Sequence, residues 1–117
     1  MSDLSHHEKE VRPWGTFERF TLNEESTVKI ITLEPLQAFS LQTHAERKEF
    51  WHILKGSGTI TTGEKSHAAG VGDQFFIPVG EKHRADAGPE GLEFLEIAFG
   101  EFAESDIIRL EDRYGRT

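Results

Sequence analysis

The sequence predicts an all-β domain, built as an antiparallel β-barrel or sandwich, on three observations. Its apolar segments are short, about 4–8 residues each, and rich in β-branched and aromatic residues. Gly, Pro and charged turns separate them at regular intervals, and a single stretch carries a helical pattern. In chain order, Thr27–Leu33 reads as the first strand, with Val28 and Ile30 alternating; Phe50–Leu54, Gly58–Thr62, Gln74–Ile77 and Leu92–Phe99 follow. Glu34–Gln37, Lys55–Gly58, Ala69–Asp73 and Pro78–Glu81 read as the turns between them, and Ala87–Gly91 as an exposed loop. Ala103–Arg113 is predicted as a short C-terminal helix, with Ser105 as N-cap, Asp106 in the first turn, and Ile107, Ile108 and Leu110 for packing.

Length and composition bound the rest. The 117 residues fit one domain, with a flexible tail expected over residues 1–10 and the barrel over about 26–100. Apolar residues make up 36% of the chain, including 9 Phe and 2 Trp, which supplies one core and argues against disorder. Its 13 Lys and Arg stand against 21 Asp and Glu, a net charge of −8, with no basic stripe to follow a phosphate backbone, so nucleic acid is excluded as a partner. With no cysteine, disulfides and thiolate chemistry are excluded too. No window approaches the ~20 apolar residues of a membrane span, and the first ten residues lack the order of a signal peptide. A cytoplasmic protein without a membrane partner is expected.

The densest polar constellation is Leu41–Trp51. In a strand, Gln42 and His44 share one face, and Glu49 can return to that face on the next strand after a turn. His83, soon after the Pro78–Gly80 turn, is placed to supply a fourth donor. Two imidazole nitrogens with one or two oxygens suit a divalent transition metal: Zn, Mn, Fe, Co or Ni. Against this stands the ordinary behaviour of His and Glu in a charged loop, which is to be solvated. His6, His7, His52 and His67 have no partner pattern and are expected to bind nothing. Trp14, Phe17, Phe39, Trp51 and Phe94 are expected in core or rim packing.

The spacing Gln42-x-His44-x4-Glu49-x6-Gly56, followed by Gly72-x5-Pro78-x-Gly80-x2-His83, resembles the paired motifs of the cupin superfamily. The resemblance implies a jelly-roll barrel in which four positions, here Gln42, His44, Glu49 and His83, bind one metal ion. Leu36, Gln42 and Ala87 depart from the motif's opening Gly, first His and closing Asn. Over most of its length the chain is also similar to the type II mannose-6-phosphate isomerases. Arg12-Pro-Trp-Gly15, Ser40-Leu-Gln-x-His44, Arg47-x-Glu49-x-Trp51, Ile77-Pro-x-Gly80-x-x-His-Arg84 and Asp106–Arg116 carry that likeness. Where that branch has a run of three His and a later His, this chain has His44-Ala45-Glu46 and Phe50.

The resemblance implies metal-dependent interconversion of mannose 6-phosphate and fructose 6-phosphate, a proton moving between C2 and C1. That chemistry needs a base, charge stabilisation and a phosphate clamp. Glu46 or a metal-bound water is the expected proton shuttle, and Arg47, then Arg84, then Lys82 are the expected phosphate cations. Larger family members carry a nucleotidyltransferase domain ahead of this one, so a chain without it is expected to make no GDP-mannose. The alternatives are a non-catalytic cupin that binds a sugar or other small ligand, and an Fe(II) oxygenase. Pairing of edge strands leads to an expected homodimer.

Overall fold

The computed structural model describes residues 4–101, 103 and 105–112. In chain order the strands are β1 (Glu8–Arg12), β2 (Gly15–Arg19), β3 (Thr27–Leu33), β4 (Leu41–Thr43), β5 (Arg47–Thr62), β6 (Lys65–Gly70), β7 (Gln74–Ile77), β8 (His83–Gly100) and β9 (Ile108–Glu111). No helix occurs among the described residues, so none is long and apolar enough to cross a membrane. The all-β antiparallel expectation therefore holds. β1 and β2 form a hairpin, while the other strands make one sheet in the order β6-β5-β8-β4-β9, with β3 added to β8 and β7 to β5.

Two long strands, β5 and β8, organise the barrel by pairing twice, Arg47–Gly56 against Leu92–Gly100 and Gly58–Thr62 against His83–Ala87. The Lys55–Gly58 segment expected as a turn lies inside β5, and the Ala87–Gly91 loop lies inside β8; together they form the irregularity at which the ladder bends. Glycine marks this bend for a steric reason. A Cβ at Gly58 would overlap the Asp86 carbonyl oxygen, and one at Gly56, whose φ is +77°, would overlap that of Gly91. Other turns stand as expected: Gln37 N–H donates to the Glu34 carbonyl, Asp73 N–H to Gly70 and Glu81 N–H to Pro78.

β5 is buried on both faces. Trp51 and Ile53 point into the barrel against Phe94, Ile77 and Ile60, whereas Phe50 packs with Ile97 and Phe99 in a second cluster. That second cluster is closed by Leu4 and Phe20; within the tail expected over residues 1–10, Leu4 is buried and β1 begins at Glu8. His7, expected to bind nothing, stacks on Phe20 and hydrogen-bonds Glu18. Trp14, expected in the core or at its rim, is 73% exposed at the hairpin tip.

The expected helix over Ala103–Arg113 is a correction as well, with Arg113 outside the described residues. The chain turns at Ser105 and then pairs as β9 with β4. Ile107, Ile108 and Leu110 fit a helical stripe as readily as a strand, and pairing with an open sheet edge decided for the strand.

Candidate metal centre

Three segments converge at the barrel interior. Gln42 lies in β4 and His44 just after it. Glu49 is the third residue of β5, and His83 opens β8 directly opposite Gln42 in the ladder. The loop after β4 is pinned by Asp106, whose carboxylate accepts the N–H groups of Ala45 at 2.8 Å and Glu46 at 2.9 Å. These bonds, Ala45's first, hold the Asp106 carboxyl below its usual range. The Pro78–Glu81 turn is tied to the same loop through Gly80 N–H and the His44 carbonyl, 2.9 Å apart.

His44, Glu49 and His83 are all buried, and one ligand atom from each lies within 4.8 Å of the others. His44 Nδ1 donates to the Asp106 carbonyl at 2.7 Å, and His83 Nδ1 to the Glu81 carbonyl at 2.9 Å. Both rings therefore turn an Nε2 lone pair towards Glu49, at 3.4 Å from His44 and 3.8 Å from His83. A ring fixed through one nitrogen with the other turned inward is how imidazole is presented to a metal, although His44 Nε2 here is met by the Gln42 amide nitrogen and by Arg47 Nη2, each at 3.3 Å. The sharpest sign is His83 Nε2, a buried polar atom with no hydrogen-bond partner. Burial, the leading influence, also pushes the His83 imidazole below its ordinary range and keeps it in the neutral form a metal takes. The donor set present fits a divalent transition ion.

Two neighbours set the Glu49 carboxylate. The Trp51 indole N–H donates to Oε1 at 3.1 Å, and Arg47 Nε donates to Oε2 at 2.9 Å. Arg47 also directs Nη2 at His44 Nε2, 3.3 Å away, and Nη1 at the Ala103 carbonyl. Burying a carboxylate alone is costly, and the Arg47 guanidinium, itself buried, offsets it. Gln42 presents its amide nitrogen, not its oxygen, to His44 Nε2 at 3.3 Å, while its oxygen accepts the Ser40 hydroxyl at 2.7 Å.

Above this cluster lies a cavity of about 270 Å³ lined by Gln42, His44, Arg47 and Glu49 together with Lys29, Glu96 and Arg109, and walled by Ile31, Phe39 and Ile107. Of the expected phosphate cations only Arg47 lines it. Lys82 pairs with Glu64 instead, and Arg84 bonds the Phe39 carbonyl and Glu111. Glu46 is exposed and does not line the cavity either. Lys29, Glu96 and Arg109 were not among the sequence candidates, although Lys29 between Val28 and Ile30 was a visible charge in an apolar strand.

The barrel and its inward His/Glu cluster define a cupin. A cupin protein from Bacteroides fragilis superposes with a TM-score of 0.59 at 23% identity, covering 69% of this chain and 74% of that one, a likeness of fold alone. The chain belongs to the mannose-6-phosphate isomerase C-terminal family, whose model matches residues 1–112. Among curated relatives, the xanthan biosynthesis protein XanB of Xanthomonas campestris pv. campestris is 36% identical over 99% of this chain and 25% of its own length. A mannose-1-phosphate guanylyltransferase of Klebsiella pneumoniae is 38% identical over 98% of this chain and 25% of its own. The chain thus spans about a quarter of the length of these relatives. Their names overturn the expected mannose 6-phosphate isomerase: they describe guanylyl transfer to mannose 1-phosphate and polysaccharide biosynthesis. The proton-shuttle role given to Glu46 falls with that reading, and the expectation that GDP-mannose chemistry is absent has no support either.

Proposed function

We propose that the chain serves mannose-1-phosphate guanylyl transfer, as a cupin that holds one divalent transition-metal ion and receives a sugar phosphate in the cavity above it. The observation that carries this is the buried, unpartnered Nε2 of His83 facing Glu49 beside His44, in a chain of which 98% aligns with a quarter of a mannose-1-phosphate guanylyltransferase. His44, Glu49 and His83 would hold the ion, and Gln42 would join through its oxygen only once its amide turned to release that oxygen from the Ser40 hydroxyl. Zn, Mn, Fe, Co and Ni all suit such donors. When bound, the ion supplies Lewis acidity, orienting a ligand oxygen and drawing charge from it.

The chain's own side chains prepare the site. Asp106 anchors the loop that carries His44, the Glu81 carbonyl orients His83, and Trp51 with Arg47 fixes the Glu49 carboxylate. Ile31, Phe39 and Ile107 restrict water on the apolar side of the cavity. Metal content and mannose 1-phosphate binding test the reading together. Protein as purified should hold about one ion per chain and bind mannose 1-phosphate by calorimetry, and His83→Ala should lose both. A protein that retains no transition metal after incubation with each candidate ion, or binds no mannose phosphate once loaded, would overturn it.

A further inference from the structure

From the placement of β9 we infer that Arg109, with Lys29, forms the cradle for the phosphate group of the ligand. The inference rests on the sugar-phosphate reading above and assigns its recognition to residues outside the paired cupin motifs. Arg109 stands opposite Gln42 in the β4–β9 ladder, and paired residues project to the same side of a sheet, so both line the cavity. Its Nε is buried without a hydrogen-bond partner. A guanidinium holding a buried, unused donor at a cavity wall is set for an acceptor that arrives with a ligand, and its fork matches a phosphate.

Lys29 reaches the same cavity from β3, with its ammonium 3.8 Å from Glu96. Arg47 is the third cation, but its guanidinium is committed to Glu49 and the Ala103 carbonyl. Two strands that do not pair with each other, β3 and β9, thus bring positive charge to a cavity that His44 and Glu49 also line. In a chain of net charge −8, local cations of this kind are what an anionic ligand requires.

The test is calorimetry on the metal-loaded full chain with mannose 1-phosphate, mannose and inorganic phosphate, comparing wild type with Arg109→Gln, Arg109→Lys, Lys29→Gln and the remote control Lys65→Ala. Charge-assisted hydrogen bonds set the scale. Arg109→Gln should weaken mannose 1-phosphate by about 10-fold or more, leave mannose and metal content unchanged, and recover in part in Arg109→Lys; Lys29→Gln should weaken it less, and Lys65→Ala not at all. Unchanged mannose 1-phosphate affinity in both Arg109→Gln and Lys29→Gln, with wild-type metal content, would overturn the cradle while leaving the sugar-phosphate reading intact. Conversely, wild type that binds inorganic phosphate but not mannose 1-phosphate, with the former lost in Arg109→Gln, would keep the cradle and overturn the sugar reading. Should wild type bind neither, both fall. If Arg109→Gln does not fold, Lys29→Gln reads the same quantity from a different strand.

Discussion

The Trp51 indole N–H donates to Glu49 Oε1 at 3.1 Å, joining the largest side chain of the core to the only carboxylate of the ligand cluster. Trp51 is fully buried and also meets His83 edge-on, with ring centroids 5.6 Å apart. Packing and ligand geometry are therefore one arrangement. Trp51→Phe keeps most of the ring volume and removes the donor. The expected result is a folded protein whose metal affinity falls about 10–100-fold, the usual effect of losing a partner behind a ligand. A competitive chelator titration reads it, and an unchanged affinity would show that Arg47 alone orients Glu49.

Asp106 closes the loop after β4, and its effect on stability has a definite pH sign. Its folded-state value lies below the usual 3.8 because the carboxylate accepts the Ala45 and Glu46 N–H groups. A depressed carboxyl contributes stability that is complete above about 3.8 and is lost as pH falls through the lower folded value. Asp106→Ala should therefore be less stable than wild type at neutral pH, with the gap closing as pH falls below 3.8 and through the lower folded value. Thermal melts along that range measure it. A gap independent of pH would mean that the carboxylate's charge is not what holds the loop.

Much of the candidate metal site was legible because strand geometry turns spacing into facing. Residues two apart share a face, which pointed to Gln42-x-His44 and the return to Glu49, although His44 stands one residue past β4 and is held inward by its bond to the Asp106 carbonyl. The same rule explains the missed cations. Arg84 is the immediate neighbour of His83, so if one enters the barrel the other leaves it, and Arg84 does leave, towards Glu111. Val28 and Ile30 suggested an apolar strand, yet they are 55% and 58% exposed, and Lys29 with Ile31 occupies the inner face. At three residues β4 is too short to show a period, and β9 was hidden in a pattern shared by helix and strand. Activity was less legible than fold, since one barrel hosts many reactions and the ligand motif reports a metal before it reports a substrate.

Arg47 bonds two groups that a bound metal ion would also approach, His44 Nε2 and Glu49 Oε2. Arg47→Met should leave a buried carboxylate without its guanidinium, which lowers stability by roughly 3–5 kcal/mol when no metal is present. Adding zinc should then raise the melting temperature more in the variant than in wild type, because the ion replaces the missing charge. Equal shifts in the two proteins would indicate that guanidinium and ion occupy separate positions and that no exchange takes place.

The bend between β5 and β8 makes a prediction that separates backbone conformation from close approach. Gly72 has a φ of +90° but nothing within 4 Å of an added Cβ, so Gly72→Ala meets backbone strain alone, about 1–2 kcal/mol. Gly58 is the reverse case. Its φ lies outside the left-handed region, yet an added Cβ overlaps the backbone carbonyl of Asp86, which a flexible side chain cannot relieve. Gly58→Ala must part the β5–β8 ladder locally, and overpacking of this kind destabilises by about 3 kcal/mol. His83 lies four residues along the same strand from Ala87, Gly58's partner, so the displacement should also weaken metal retention. Denaturant midpoints for the two variants decide the point. If Gly58→Ala is no more destabilised than Gly72→Ala, the ladder can open at the bend without strain, and the two long strands hold the ligand cluster less rigidly than their pairing implies.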